Sequence, residues 1–183
     1  CISIFPILVK LELTPGLISA FYRMAFAFTI LIPFAIFSGK FKMPPTKYLI
    51  LALLCGILFG SDVAVWNIAI QESSATQASL LTNLSPVWVG IASFLFLSPS
   101  NFRIGTVLAV FGMVTFVGFR FFTNLDFDRA FVFALLSGIF YAGYLLISKK
   151  ALAKVDVFSF MFLSLFASSI YLAIICFSMN ESF

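Results

Sequence analysis

The chain has 183 residues, of which 62% are hydrophobic and 10% are charged, and its net charge is +4. Soluble domains hold roughly 45–50% apolar and about 25% charged residues, so a soluble fold could not bury this much apolar surface. The composition predicts an integral membrane protein with the lipid bilayer as its surroundings. In such a protein basic residues set orientation, so the positive charge is not a sign of nucleic-acid binding.

Several kinds of catalysis are excluded by residues that the sequence lacks or scatters. It contains no histidine, which removes Ser-His-Asp and Cys-His chemistry and the commonest metal ligand. Its three cysteines, Cys1, Cys55 and Cys176, lie in separate apolar runs and form no CxxC pair. We therefore predict a protein that is not an enzyme and that holds no metal and no cofactor.

Apolar runs of the length that crosses a bilayer, about 20 residues, recur along the chain. The fold class predicted from them is an all-α, polytopic transmembrane bundle. Thr14-Pro15 is a typical helix start, and a proline-containing loop and a Ser-Pro-Ser break separate later runs. The seven predicted helices are the tail of a first helix at 1–9, then 15–38, 47–70, 76–97, 102–119, 130–148 and 157–179.

Lysine and arginine are divided unequally between alternate loops. The loops after the second, fourth and sixth predicted helices hold seven basic residues, and the intervening loops hold three. The first set comprises Lys40, Lys42, Lys47, Arg103, Lys149, Lys150 and Lys154, and the second Lys10, Arg120 and Arg129. The positive-inside rule then predicts a multi-pass protein of the inner or plasma membrane, with loop 39–46 cytoplasmic and turn 71–77 outside.

Polar side chains inside two neighbouring apolar segments form the candidate functional site. Segment 47–70 carries Asp62 and Asn67, and segment 76–97 carries Thr82, Asn83 and Ser85 just before Pro86. Polar groups are costly in hydrocarbon, so those that occur there usually have a function. At a rise of about 1.5 Å per residue, Arg23 and Asp62 both lie roughly 12 Å below the outer helix ends, and Asn83 lies at a similar depth, which predicts one polar layer.

Each candidate has more than one interpretation. Arg23 and Asp62 could form a structural ion pair, Asp62 could couple transport to a substrate or proton, or the charges could simply face an aqueous lumen. Pro86 frees a backbone carbonyl near Thr82, and the resulting kink could contact substrate or serve packing alone. Trp66 and Tyr141, with Trp88 and Tyr144, could line a cavity or anchor the helices. Gly56 and Gly60 predict a close helix contact.

A weak internal repeat appears when the chain is shifted by 140 residues. Lys10 then meets Lys150, Ser19 meets Ser159 and Ala27 meets Ala167. Five helices per repeat reverse the orientation of the second half, as in many secondary transporters. The predicted divisions are a first repeat at 1–121, a loop at 122–129 and the start of a second repeat at 130–183. On this basis we expect about ten residues before Cys1 and three further helices after Phe183.

The sequence resembles the drug/metabolite transporter superfamily, in particular its EamA-like members. The resemblance is carried by TPGLISAFYRMAFAFTILIPF (14–34), WNIAIQESSATQASLLTNLSPVWVGIASFLFL (66–97), the glycine spacing of IGTVLAVFGMVTFVG (104–118) and LLSGIFYAGYLLISKKAL (135–152). It implies ten helices in two inverted repeats, cytoplasmic termini and transport of small metabolites by alternating access. Many members close the fourth helix with a glutamate, whereas this chain has Leu97-Ser98-Pro99, so no role of that carboxylate is carried over.

Taken together, the residues and the resemblance predict a carrier of small organic metabolites that works outward, as an exporter. The predicted substrate contacts are Arg23, Asp62, Trp66, Asn67, Thr82, Asn83, Ser85 and Tyr141. A homodimer is left open as its assembly. The alternatives are a membrane-embedded enzyme and a membrane scaffold that transports nothing.

Overall fold

The computed structural model describes residues 14–39, 41–72, 78, 81, 82, 85, 87–90, 111 and 129–179. These residues are helical or lie in turns between helices, and they include no strand. The four long helices are α1 (Gly16–Ser38), α2 (Thr46–Glu72), α3 (Arg129–Leu152) and α4 (Val157–Ser178). By length and composition, each of these four is able to cross a membrane. Four predicted helices are thus confirmed, with ends that differ by at most four residues.

The other three predicted helices lie largely or wholly outside the described residues. Segment 1–9 is wholly outside, and only Phe111 of segment 102–119 is described, in helical conformation. In segment 76–97 the described residues 78, 81, 82, 85 and 87–90 are all helical. The count of seven helices therefore stays a prediction, whereas the all-helical character of the described residues is observed.

Local sequence explains where two of the helices begin and end. Helix α1 ends at Gly39, whose φ of 59° is left-handed and free of strain because glycine has no Cβ. Helix α4 begins after Asp156, whose carboxylate accepts hydrogen bonds from the backbone amides of Phe158 at 3.0 Å and Ser159 at 3.3 Å. An aspartate at this position satisfies amides that have no partner within the helix.

Helix α2 lies at the centre of the described bundle and packs against α1, α3 and α4. Against α3 it runs antiparallel, because Asp62 meets Ser137 while Cys55 meets the carbonyl of Tyr144. Against α4 it runs parallel, because the contacts advance together along both helices, from Gly56 near Ser164 to Gly60 near Tyr171.

Helices α1 and α4 pack through aromatic rings and run antiparallel. The ring of Phe28 lies 5.1 Å from that of Phe162, and the ring of Phe34 lies 5.4 Å from that of Phe158. The residue numbers of the contacts thus rise along α1 while they fall along α4. At the end where Phe34 lies, the amide of Lys42 donates to Ser159 Oγ at 2.9 Å, so loop 41–45 meets the start of α4.

The predicted close contact at Gly56 and Gly60 is confirmed, and the partner is α4. Ser168 Oγ donates to the carbonyl of Gly56 at 2.6 Å, which requires the two backbones to be close. A Cβ atom at Gly56 would lie 2.7 Å from the Cβ of Ala167 and would collide with the carbonyl oxygen of Ser164. Small residues at such positions are the usual means by which membrane helices approach closely.

Large apolar side chains cover the outer surface of α1, as a bilayer requires. Phe26, Ile30 and Phe37 are 64%, 73% and 88% exposed, respectively. The same surface in water would be a strong driving force for aggregation, but in lipid it is in its preferred solvent. Three polar residues of the candidate site, Asp62, Asn67 and Ser85, are instead buried in the contacts between helices.

Candidate functional site

Asp62 lies on the face of α2 that meets α3, and only 6% of its surface is exposed. Ser137 of α3, which is wholly buried, donates a hydrogen bond from Oγ to Asp62 Oδ1 at 2.5 Å. An ionised carboxylate can only accept hydrogen bonds, so the serine hydrogen is committed to Asp62. The two helices are thereby joined by a charge-assisted hydrogen bond inside an apolar contact.

Thr82 extends this bond into a chain of three side chains. Its Oγ1 lies 3.1 Å from Ser137 Oγ and 3.5 Å from the carbonyl oxygen of Ala134. Because Ser137 donates to Asp62, Thr82 must donate when it bonds to Ser137. The polar chain therefore runs Thr82 to Ser137 to Asp62 and links segment 78–90, α3 and α2. We refer to these three residues as the polar chain.

An aromatic ring and a cation lie close to the polar chain, on α2 and α1. Trp66 lies one helical turn after Asp62 on α2, and the guanidinium carbon of Arg23 is 5.9 Å from the centroid of its ring. This distance is within the range of a cation–π interaction. Arg23 also lies close enough to Asp62 for the two charges to attract each other.

Trp88 approaches the same place from segment 78–90. Its Cδ1 atom would lie 3.4 Å from a Cβ added to Gly138, which is the residue after Ser137. Its Nε1 atom is buried and has no hydrogen-bond partner among the described residues. A buried N–H group without an acceptor is unfavourable by about 1–3 kcal/mol, so this is a donor to which a bound molecule could bind.

On α3, Tyr141 lies one turn after Ser137 and continues the aromatic lining. Its ring is 5.9 Å from that of Tyr144, in a stacked arrangement, and Tyr144 is 5.2 Å from Phe59 of α2. Phe59 and Trp66 lie one turn before and one turn after Asp62 on the same helix. Along α2, the carboxylate therefore has an aromatic residue one turn away in each direction.

Asn67 makes a different contact, at the outer end of the bundle as predicted from charge. Its Nδ2 donates to the carbonyl of Gly16 at 3.1 Å, and Gln71, one turn further along α2, binds the same stretch of backbone at the start of α1. Gln71 Oε1 accepts from the amide of Gly16 at 2.7 Å, and its Nε2 donates to the carbonyl of Thr14 at 2.8 Å. We call this arrangement the outer clasp, because two side chains of α2 hold the start of α1.

The outer clasp gives a testable prediction for Gln71→Ala. Pro15 supplies no side-chain cap to α1, so the substitution leaves the Gly16 amide without that acceptor. We expect a loss of about 1–3 kcal/mol at this helix end. Hydrogen exchange of the Gly16 amide should accelerate at least tenfold, whereas Glu72→Ala, at the exposed neighbouring position, should leave it unchanged. Equal exchange in both variants would contradict a role for Gln71 in holding α1.

The structure brings several of the predicted site residues together. Asp62 and Thr82 are joined through Ser137, Arg23 lies on Trp66, and Tyr141 follows one turn along α3. Ser85 is buried in segment 78–90, and Asn67 belongs to the outer clasp. Asn83 and Pro86 lie outside the described residues. Substrate contact by any of these residues stays a prediction.

Two important residues were missed by the sequence reasoning. Ser137 lies in an apolar run with a glycine after it, and a lone serine there is usual in a packed membrane helix. Gln71 was assigned to a turn, because it follows the last apolar residue of the predicted helix. A polar residue at i and another at i+4, as in Asn67 and Gln71, does indicate one shared helix face and could have been noticed. Among the described residues, no three His, Cys, Asp or Glu side chains converge as metal ligands would.

Buried polar side chains within apolar, membrane-length helices are typical of a membrane transport protein, and comparison with known proteins gives that class. The EamA-like transporter family matches residues 2–122, and the chain belongs to that family. The description of that family is of transporters. No solved structure matches the chain.

The curated relatives share limited identity with this chain. The S-adenosylmethionine uptake transporter of Rickettsia bellii is 23% identical over 151 residues, which is 82% of this chain and 52% of the relative. The protein of the same description from Rickettsia conorii is 24% identical over 151 residues, 82% of this chain and 51% of the relative. A WAT1-related protein of Arabidopsis thaliana is 31% identical over 99 residues, 50% of this chain and 28% of the relative. The chain thus spans about half the length of the Rickettsia relatives that it matches.

Proposed function

We propose that the chain is part of a carrier that moves a small organic metabolite by alternating access, with the polar chain at its substrate site. The observation that carries this proposal is the buried hydrogen-bonded chain of Thr82, Ser137 and Asp62, which joins three segments of an apolar bundle. Buried polar groups that link separate membrane helices are retained where a substrate or ion passes. Membership of a transporter family supports the same function.

We further propose that the chain contains a first repeat at 1–121 and the start of an inverted second repeat at 130–183. The shift of 140 residues found in the sequence carries Ser38, the last residue of α1, onto Ser178, the last residue of α4. The contacts of Phe28 and Phe34 show that these two helices are antiparallel, which supports the proposal because inverted repeats require it. The family match over residues 2–122 supports a boundary near the predicted one.

The substrate and the direction of transport are the finer parts of the proposal. The sequence predicts export, whereas the Rickettsia relatives are described as uptake transporters for S-adenosylmethionine. Both directions are open to an alternating-access carrier, because the gradients of substrate and coupling ion decide the net flux. S-adenosylmethionine therefore belongs in the first panel of candidate substrates.

The decisive experiment is transport by the full-length protein in liposomes. Vesicles loaded with each unlabelled metabolite are diluted into the same labelled compound, and accumulation by exchange is measured. We expect accumulation of at least one compound by wild type and a loss of about tenfold or more in Asp62→Asn, since a charge at the binding site is removed. Asp156→Asn is the matched control, because it also removes a carboxylate while asparagine still caps α4.

The outcomes of the liposome experiment separate the proposal from its alternatives. Exchange that is equal in the two aspartate variants would contradict a site at Asp62. No exchange of any compound by correctly oriented, folded protein would favour the scaffold interpretation. Net flux measured with an outward and then an inward gradient of the coupling ion distinguishes export from uptake.

Orientation gives a separate prediction. The amide of Lys42 binds Ser159, so the basic loop after α1 and the turn between α3 and α4 lie at one end of the bundle. That end should be cytoplasmic by the positive-inside rule. In a variant without native cysteines, an impermeant maleimide added to intact cells should label Glu72→Cys, at the opposite end of α2, and should not label Lys42→Cys. The reverse pattern would mean that the topology is inverted.

A further inference from the structure

We propose that the space beside Asp62 and Trp66 is a binding site for an organic cation, and that Arg23 occupies this site in the absence of substrate. This inference rests on the proposed function and adds to it the chemical class of the substrate. It draws on four observed features: the buried carboxylate of Asp62, its neutral hydrogen-bond partner, the cation on the ring of Trp66, and the N–H of Trp88, which has no partner among the described residues.

The direct hydrogen-bond partner of Asp62 brings no positive charge to it. Asp62 is 6% exposed, and its described hydrogen bond comes from the neutral hydroxyl of Ser137. A hydrogen bond from a hydroxyl orients the carboxylate but adds no positive charge. A cation that reached Asp62 would therefore gain a Coulomb attraction that the low dielectric of the bundle strengthens.

The indole of Trp66 already holds a cation in this structure. The Arg23 guanidinium carbon lies 5.9 Å from the ring centroid. Asp62, one turn before Trp66 on α2, attracts the same guanidinium. A ring face beside a carboxylate is the arrangement that binds quaternary ammonium and related cations. In this proposal the side chain of Arg23 leaves the ring face when the substrate cation arrives.

The N–H of Trp88 suggests a second feature of the substrate. Its Nε1 atom is buried without a partner among the described residues and lies on the Gly138 side of the polar chain. A substrate that carries a hydroxyl or carbonyl oxygen at a short distance from its cationic centre could accept this hydrogen bond. The structure thus favours a cation with a nearby acceptor over a purely apolar cation.

A cationic and an anionic substrate would give opposite effects of Arg23→Gln on binding. If the substrate were an anion, Arg23 would be its ligand, and Arg23→Gln would abolish binding. If the substrate is a cation, Arg23 competes with it, and Arg23→Gln keeps or strengthens binding while Asp62→Asn abolishes it. The sign of the Arg23 effect therefore distinguishes the two classes.

Three probes of nearly identical shape test this on the full-length protein in detergent: choline, its neutral isostere 3,3-dimethylbutan-1-ol and the anion 3,3-dimethylbutanoate. Binding is followed by thermal stabilisation of the protein and by tryptophan fluorescence. We expect choline to bind wild type about tenfold more tightly than the neutral isostere, which corresponds to about 1.4 kcal/mol. In Asp62→Asn this preference should vanish, and in Arg23→Gln the thermal stabilisation by choline should be equal to or larger than in wild type.

Two further variants assign the binding to the named side chains. Trp66→Ala should weaken choline binding about threefold to thirtyfold, in line with a lost cation–π contact. Lys149→Gln, which removes a distant exposed cation, should leave it unchanged. Equal affinity for choline and the neutral isostere, no binding of choline, or preference for the anion with loss in Arg23→Gln would each overturn the inference. Because binding is measured without transport, a selective cation site in a protein that exchanges nothing would count against the proposed function alone.

Discussion

Gly56→Val is expected to prevent stable packing of α2 against α4. The new Cβ would lie 2.7 Å from the Cβ of Ala167 and would collide with the backbone carbonyl of Ser164, so no rotamer change can relieve it. Separating the helices would also lengthen the hydrogen bond from Ser168 Oγ to the Gly56 carbonyl. Overpacking and a weakened buried hydrogen bond together should lower the free energy of unfolding by about 3 kcal/mol or more.

The measurement for Gly56→Val is denaturation of the full-length protein in mixed micelles, together with the yield of monodisperse protein. Gly143→Ala is the matched control, since its new Cβ would lie at an ordinary 3.6 Å from Leu58 Cδ1. That variant should be as stable as wild type or more stable, because alanine favours helix by about 1 kcal/mol over glycine. Similar losses in both variants would show that glycine itself, and not the contact with α4, matters on these helices.

Four of the helices could be predicted closely because the membrane imposes a strong and simple rule. A helix must be about 20 apolar residues long, and proline, glycine and charged residues mark its ends. The start of α4 next to Asp156 and the end of α1 at Gly39 follow from this rule and from capping. The small-residue pair Gly56 and Gly60 also indicated a close contact correctly.

The partners across helix contacts could not be predicted in the same way. An apolar helix looks alike on all sides, so the sequence does not say which face of α3 meets α2. The glycine at Gly56 indicated a close neighbouring helix but not that this helix is α4, which lies more than 100 residues further along the chain. For the same reason the depth of Asp62 pointed to Arg23, while its hydrogen-bond partner in the structure is Ser137, 75 residues away.

The sequence therefore identified residues of the candidate site better than it predicted the contacts that those residues make. Asp62 and Thr82 were selected because polar groups are costly in hydrocarbon, and the structure joins them through a third residue. Asn67 was selected on the same ground, yet its amide holds the backbone of α1. The free-energy cost of placing a polar group in hydrocarbon does not by itself distinguish a side chain that binds substrate from one that holds two helices together.

The combined variant Arg23→Gln with Asp62→Asn is expected to lose less unfolding free energy than the two single variants lose when their losses are added. Each substitution alone leaves the opposite charge without its attraction, whereas the double change leaves neither. In Asp62→Asn the hydrogen bond from Ser137 is retained, because the side-chain carbonyl of asparagine also accepts, so the loss reports the charge. Arg23 is exposed, which weakens the attraction, and we expect a coupling energy of about 1 kcal/mol.

The coupling is measured as a double-mutant cycle in the free energy of unfolding, with Arg23→Gln, Asp62→Asn and the combined variant. A parallel cycle with Lys149→Gln and Asp62→Asn is the control, since distant charges should give additive effects within about 0.5 kcal/mol. Additive effects in the first cycle would mean that the two charges do not act together. A coupled pair has a further consequence for transport. If the double variant regains stability and still fails to exchange substrate, the pair serves the transport cycle as well as the fold.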